Sequence, residues 1–175
     1  MTLTGDALAR IALDAGELIM QIYATDFDVD RKDDSSPVTE ADQKAETLIL
    51  AALQSIDPDL PIIAEESVAA GNIPEHGTRF ALVDPLDGTK EFINKRGEFT
   101  VNIGIIENGV PVMGVVYAPA LDRLFVADSR FSAWQATAKP GAAVPPEAER
   151  TPLRIRPAPE TGLTAIASKS HRSDE

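Results

Sequence analysis

The chain has 175 residues, 43% of them hydrophobic and 25% charged, which is typical of a soluble globular protein that forms one domain or part of a larger one. Its formal charge of -12 argues against a nucleic acid or an anionic membrane surface as a partner, because both need a basic footprint. The absence of cysteine from the sequence excludes disulfides and thiolate metal sites and leaves oxygen atoms as the default metal ligands.

The N-terminal residues show no secretory signal pattern, and no apolar run reaches about 18 residues, so we expect a cytoplasmic protein without a transmembrane segment.

The first predicted element is an amphipathic helix over residues 4–24, with Thr4 as its N-cap. Residues 26–36 predict a short strand or hairpin. A second amphipathic helix is predicted to begin after Thr39. Asp42 in its first turn has an ordinary explanation, because an acidic side chain there offsets the helix dipole.

Two apolar runs further along the chain predict buried strands that end on carboxylates. Residues 61–64 lead into Glu65 and Glu66, and residues 80–83 lead into Asp84. Neighbouring strands that release acidic side chains at one edge would place several negative charges together, and these repel unless cations neutralise them. The alternative is that the two glutamates simply open a solvated loop, which is the favoured interpretation for Glu66 alone.

The second of these runs continues into the motif D-P-L-D-G-T. Its proline removes a backbone donor, so we expect the strand to stop there and to hold Asp84, the Leu86 carbonyl and Asp87 close together. Hard oxygen ligands of this kind suit Mg²⁺. Gly88 allows the backbone to approach a ligand, and the amides after it would hold a phosphate oxygen if they open a helix. A surface turn is the competing interpretation, because Asp, Pro and Gly are common turn residues.

The rest of the sequence predicts an antiparallel meander. Asn108 and Gly109, between two alternating segments, are the strongest short hairpin signal. The two amphipathic helices would cover one face of this sheet, which gives an α+β chain. Residues 67–79 predict a mobile surface loop. The predicted strands of the meander are 99–105, 110–117, 124–127, 131–136 and 153–156.

Three ordered motifs resemble the inositol monophosphatase superfamily: P-V-T-E-A-D at residues 37–42, A-E-E-S at 64–67 and D-P-L-D-G-T-K-E-F at 84–92. The K-E-F continuation, followed by G-E-F-T-V-N at 97–102, is similar to 3'(2'),5'-bisphosphate nucleotidases of the CysQ type. The resemblance covers nearly the whole chain. It implies a fold of class α+β / α/β, an inositol-monophosphatase-like layered sandwich with two N-terminal helices packed on a largely antiparallel meander sheet.

The resemblance also implies a division of the chain. Residues 1–160 would form an N-terminal α+β domain that binds metal and phosphate, and residues 161–175 would start a second α/β domain that is otherwise absent. Family members continue to a W-D-x-x-A segment whose aspartate completes the second metal site, whereas Trp134, the single tryptophan here, is followed by Gln135. We therefore expect this chain to correspond to the N-terminal portion of such an enzyme, and to be weakly active or inactive alone.

Specific roles follow from the resemblance for residues of these motifs. Glu65 and Thr89 would align a water molecule that Mg²⁺ activates for attack on phosphorus, and Asp42 would orient Thr89 through a hydrogen bond. The implied ligands of two or more Mg²⁺ ions are Glu65, Asp84, Asp87 and the carbonyl of Leu86. The implied substrate-binding residues are Glu65, Leu86, Asp87, Gly88, Thr89 and His171, the last helped by Ser170.

The implied substrate is adenosine 3',5'-bisphosphate, hydrolysed to AMP and phosphate, with its sulfated analogue as a further substrate. This activity would link the protein to sulfate assimilation, and the resemblance also implies inhibition by Li⁺; an oligomer is left open. One alternative keeps the fold and changes the substrate to an inositol or sugar phosphate, although the K-E-F continuation argues against it. Another is a non-catalytic metal- or phosphate-binding half domain.

Overall fold

The structure is a computed structural model that describes residues 2–25, 29–31, 37–129 and 132–162, with only the backbone described for 29–31 and 37–39. Within these residues, no helix combines the length and the apolar character needed to cross a bilayer. The helices are α1 (Gly5–Tyr23), α2 (Glu40–Ile56), α3 (Glu65–Ala69) and α4 (Thr89–Ile93), with short 3-10 segments at Pro119–Leu121 and Glu147–Glu149.

Both long helices begin where the sequence predicts. The Thr4 hydroxyl accepts a hydrogen bond from the Ala7 amide at 3.2 Å, so Thr4 is the N-cap of α1. Helix α2 begins at Glu40, directly after Thr39. A short strand is present in the predicted range 26–36, β1 (Val29–Arg31), and its antiparallel partner β2 (Pro37–Thr39) lies just beyond that range.

The main sheet has seven strands in the order β3-β4-β5-β6-β7-β8-β9. Strands β3 and β4 are parallel, and every later neighbour in this sheet pairs antiparallel, so the predicted meander is confirmed from β4 onward. The strands are β3 (Ile62–Ala64), β4 (Arg79–Asp87), β5 (Thr100–Glu107), β6 (Val110–Ala118), β7 (Arg123–Asp128), β8 (Ser132–Thr137) and β9 (Thr151–Pro152).

Helices α1 and α2 pack together and cover one face of the sheet, α1 against β5, β6 and β7 and α2 against β4. Gly16 makes the close contact between α1 and β6 possible, because a Cβ at this position would lie 2.4 Å from Cε1 of Tyr117. On the opposite face of the sheet, Leu82 and Val116 are 42% and 43% exposed. The expected layered arrangement of two helices on a meander sheet is therefore confirmed.

Two strand boundaries differ from the sequence prediction. Strand β4 does not end at Pro85 but continues to Asp87, with a shift of register between Asp84 and Asp87. Such a β-bulge leaves residues unpaired, so the missing amide of proline removes no hydrogen bond there.

The last strand is also displaced. The predicted strand at 153–156 is wrong, since β9 covers only Thr151–Pro152. The Leu153 amide still donates to the Ala133 carbonyl at 2.8 Å, but Ile155 is fully exposed. An alternating pattern without a buried face has no packing energy to extend the strand.

Candidate functional site

The acidic ends of strands β3 and β4 lie side by side. The two strands run parallel with Ala64 opposite Val83, so Glu65 and Asp84, the next residues along each chain segment, are neighbours. A groove of about 960 Å³ runs from these two residues across the sheet face that the helices leave uncovered. The expected adjacency of the two strands is thus present.

Asp84 is held in an environment that disfavours its charge. Burial first, and then the negative charges of Glu65 and Asp87, together raise the pKa of this carboxyl to about 7, whereas a hydrogen bond from the Leu86 backbone amide acts in the opposite direction. Asp84 also shares a side-chain hydrogen bond with Glu65. A hydrogen bond between two carboxyl groups needs one proton between them, so without a cation this pair retains a proton more readily than an isolated aspartate.

The environment of one oxygen of Asp84 is evidence for a cation site at this position. Its Oδ1 atom is buried and accepts no hydrogen bond from any residue that the structure describes. A buried acceptor without a partner is costly, and a hard cation among carboxylates would satisfy it. Among the described residues no group of three or more His, Asp or Glu side chains is arranged so that it could hold a metal ion as it stands. The fit of these residues to Mg²⁺ therefore rests on their hard oxygen donors and on the electrostatics of Asp84.

The D-P-L-D-G-T motif ends in a left-handed glycine followed by a helix. Gly88 has φ of 95° and is the N-cap of α4, which begins at Thr89. A Cβ at Gly88 would lie 2.8 Å from the Glu98 carbonyl oxygen, so both the backbone conformation and the space require glycine. The amides after Gly88 therefore do open a helix, which the predicted contact with a phosphate oxygen requires.

Thr89 and Asp42 are placed by the helices that the sequence predicts. The Thr89 hydroxyl donates to the Leu86 carbonyl at 3.2 Å. Asp42 lies in the first turn of α2 and is only 2% exposed. The expected hydrogen bond between Asp42 and Thr89 stays a prediction. His171, the remaining expected contact, lies outside the described residues, as do Ser170 and the predicted start of a second domain.

Glu46 also lies near this site, although none of the sequence motifs predicts a role for it. It is 6% exposed, and its carboxylate accepts hydrogen bonds from the amide of Glu66 and from the amide and hydroxyl of Ser67. The signal was available in the sequence: Glu46 follows Asp42 by four residues and precedes Ile49 by three, so all of them share one face of α2. A carboxylate on the apolar face of a helix needs a buried partner.

Comparison with known proteins agrees with the family that the three sequence motifs resemble. A family model described as the inositol monophosphatase family matches residues 4–174. The 3'(2'),5'-bisphosphate nucleotidase CysQ of Salmonella typhimurium is 42% identical over 172 residues, which are 97% of this chain and 65% of the relative. The protein of the same name from Escherichia coli K12 is 46% identical over 132 residues, 74% of this chain and 53% of the relative. The chain thus spans between about half and two thirds of the length of these relatives.

Solved structures with the same fold include a CysQ protein and an inositol monophosphatase. CysQ from Bacteroides thetaiotaomicron, described as a bacterial member of the inositol monophosphatase family, superposes with a TM-score of 0.73 at 34% identity and covers 97% of this chain and 64% of its own. An inositol monophosphatase from Thermotoga maritima gives a TM-score of 0.65 at 30% identity, covering 75% of this chain and 50% of its own. These likenesses confirm the fold that the motifs imply.

Proposed function

Because the chain belongs to the inositol monophosphatase family, we propose that it carries the metal- and phosphate-binding part of a Mg²⁺-dependent 3'(2'),5'-bisphosphate nucleotidase. The proposed substrate is adenosine 3',5'-bisphosphate, which is hydrolysed to AMP and inorganic phosphate in support of sulfate assimilation. Relatives that carry the nucleotidase name share 42% and 46% identity with this chain, which supports a nucleotide over an inositol phosphate.

The environment of Asp84 is the observation that carries this proposal. Its carboxyl group is half-buried, is repelled by Glu65 and Asp87, and has one buried oxygen without a hydrogen-bond donor among the described residues. We assign Mg²⁺ to these three side chains together with the Leu86 carbonyl, since all four offer hard oxygen atoms. When bound, Mg²⁺ supplies positive charge that stabilises the transferring phosphoryl group and makes water more acidic.

The remaining site residues act on the water and on the phosphate. Glu65 and Thr89 are proposed to align the attacking water, with Asp42 orienting Thr89. The amides of Gly88 and Thr89 are proposed to donate to phosphate oxygens, because the first amides of a helix have no acceptor within it. His171 is proposed as a further phosphate contact. The division into a domain at residues 1–160 and the start of a second domain at 161–175 also stays a proposal.

An assay of phosphate release tests this function. We would compare adenosine 3',5'-bisphosphate with an inositol phosphate, each with and without Mg²⁺. The proteins would be the 175-residue chain and the same chain completed with the remaining C-terminal part of a CysQ relative. We expect Mg²⁺-dependent release from the nucleotide by the completed chain and weak or no release by the shorter one. Faster phosphate release from the inositol phosphate would show that the protein is an inositol phosphatase rather than a nucleotidase. Phosphate release at the same rate with and without Mg²⁺ would refute the metal assignment.

A further inference from the structure

The short helix α3 has no cap of its own, although it carries Glu65 at its first position. Its N-cap residue is Ala64, which has no side-chain acceptor for the free amides of the first turn. A helix of this length is also marginal by itself, so its position depends on contacts with the rest of the protein. Something outside α3 must therefore hold the turn from which Glu65 projects.

Glu46 of helix α2 supplies that contact. One carboxylate oxygen accepts from the Glu66 amide at 2.8 Å, and the other accepts from the Ser67 amide at 2.9 Å and the Ser67 hydroxyl at 2.6 Å. These are the amides that a capping side chain would normally satisfy, so Glu46 caps α3 from a position 20 residues earlier in the chain. Hydrogen bonds to an ionised acceptor are the strong ones, and here three donors share one carboxylate.

The contact joins the candidate metal site to helix α2, one of the two helices that cover the sheet. Helix α2 packs on α1 and on β4, the strand that carries Asp84. Glu46 thus ties the segment that follows β3 to the helix that supports β4. Glu65 therefore lies between two fixed contacts, the pairing of β3 with β4 before it and the hydrogen bond of the Glu66 amide to Glu46 after it.

We propose that Glu46 is a positioning residue that keeps Glu65 beside Asp84 and thereby sets the affinity of the site for Mg²⁺; this inference rests on the proposed function. Glu46 itself does not act as a ligand in this assignment, since its carboxylate oxygens are already engaged by the three donors of α3. Residues that orient metal ligands commonly change metal affinity by about 10- to 100-fold when they are replaced.

Glu46→Gln tests the inference, with Asp128→Asn as a matched control. Asp128 is buried to the same extent, 6% exposed, but lies on β7, three strands away from β4. Two quantities are measured on the 175-residue chain: hydrogen exchange of the Glu66 and Ser67 amides without metal, and Mg²⁺ affinity by calorimetry. We expect Glu46→Gln to accelerate both amides about tenfold or more and to weaken Mg²⁺ binding about 10- to 100-fold. Asp128→Asn should do neither, even where it lowers the unfolding temperature.

Ser67→Ala gives a second test that does not depend on the folding of the Glu46 variant. It removes the hydroxyl bond and keeps both amide bonds, so we expect a smaller loss of Mg²⁺ affinity, about threefold. Unchanged Mg²⁺ affinity in Glu46→Gln, or an equal loss in Asp128→Asn, would overturn the inference.

The exchange measurement separates this inference from the proposed function. If the unmodified chain bound no Mg²⁺, the proposed function would fail and with it the effect on affinity. Amide exchange that remained slow in Glu46→Gln would instead refute the role of Glu46 while leaving the metal assignment intact.

Discussion

The two ends of strand β4 carry acidic clusters that are neutralised in different ways. At the beginning of the strand, the Arg79 guanidinium lies 2.7 Å from an Asp57 oxygen and 3.1 Å from a Glu107 oxygen. The hydrogen bond to Asp57 is the largest of the effects that raise the pKa of Arg79 above its ordinary value. The protein thus provides its own cation for the two carboxylates at this end.

At the other end of the strand, the charges of described residues that act on Asp84 are both negative. They come from Glu65 and Asp87, and they add to the effect of burial. The same strand therefore pairs acids with an arginine where it begins and gathers acids against one another where it ends. A cluster of the second kind lowers stability unless a cation from outside joins it, which is what a metal-dependent site needs.

Asp84→Asn should have the largest effect, because it removes a proposed metal ligand at the end of β4 where no described residue supplies a cation for the acids. In the completed enzyme we expect Mg²⁺-dependent phosphate release to fall about a thousandfold or more, since the metal contributes several kcal/mol to the transition state. Asp57→Asn is the matched control, the same change beside Arg79, and should leave phosphate release unchanged. Equal losses in the two variants would show that the two ends of the strand do not differ in function.

Gly88→Ala should disrupt the same end of β4 through the backbone. The positive φ of Gly88 and the 2.8 Å approach of a new Cβ to the Glu98 carbonyl both oppose the substitution. We expect a loss of about 2 to 4 kcal/mol in the free energy of unfolding, measured by urea denaturation. Gly109→Ala, at a positive φ with no atom near its Cβ, is the control and should cost less. A Gly88→Ala variant as stable as the parent would contradict the tight turn.

The pH dependence of stability should distinguish the two ends in the metal-free protein. The pKa of Asp84 is raised from 3.8 to about 7 on folding, so its protonated form favours the native state. This contribution is fully present below pH 3.8 and is lost as the pH rises through about 7. At pH 8 we expect the free energy of unfolding of the parent chain, measured by thermal unfolding, to be about 1 to 2 kcal/mol lower than that of Asp84→Asn. This figure is reduced to allow for the water around a half-buried group.

Mg²⁺ provides the check on this pH effect. The added cation should remove the loss at high pH, because it favours the ionised carboxylate. If Asp84→Asn and the parent chain kept the same difference in stability from pH 5 to pH 8, the crowding of carboxylates at this site would be refuted.

Arg79→Gln should have the smallest effect. Its two ion pairs are partly exposed, so we expect a loss of about 1 kcal/mol or less at low ionic strength and less still in high salt. Urea denaturation at two salt concentrations measures the difference. A loss independent of salt would mean that Arg79 acts through packing rather than through charge.

The elements with clear periodicity and strong terminal signals could be predicted from the sequence. Helix α1 follows from its apolar repeat and its Thr4 cap, and the turn at Asn108 and Gly109 does join β5 to β6. The convergence of Glu65 with Asp84 could also be expected, since both follow apolar strand patterns. The helix and the turn depend on interactions between residues that are close in sequence, whereas the convergence of the two acids depends only on two similar strands being neighbours.

The parts that could not be predicted depend on contacts between distant residues. The prolongation of β4 past Pro85 depends on its pairing with β5, and α3, whose last three residues fall in the loop expected at 67–79, depends on Glu46. The end of β9 at Pro152 depends on what covers the following residues rather than on their alternation. A local pattern places Glu46 on the apolar face of α2, but no local pattern identifies which distant segment each of these contacts joins.

The β-bulge in β4 decides which way the two aspartates of the central motif point. Asp84 lies opposite Asn102 and Asp87 lies opposite Thr100. Thr100 and Asn102 are two residues apart on β5 and therefore face the same side of the sheet. Residues three apart in a regular strand would face opposite sides, so the extra residue in β4 is what brings both aspartates to one side.

The residues inside the bulge take the opposite orientation. Pro85 and Leu86 are both buried, although neighbours in a regular strand would alternate. Loss of either one by an in-frame deletion would restore the alternation and turn the second aspartate toward the apolar interior. The length of this short segment is therefore as important as its composition, and a homologous protein with one residue fewer here would not retain the same pair of carboxylates.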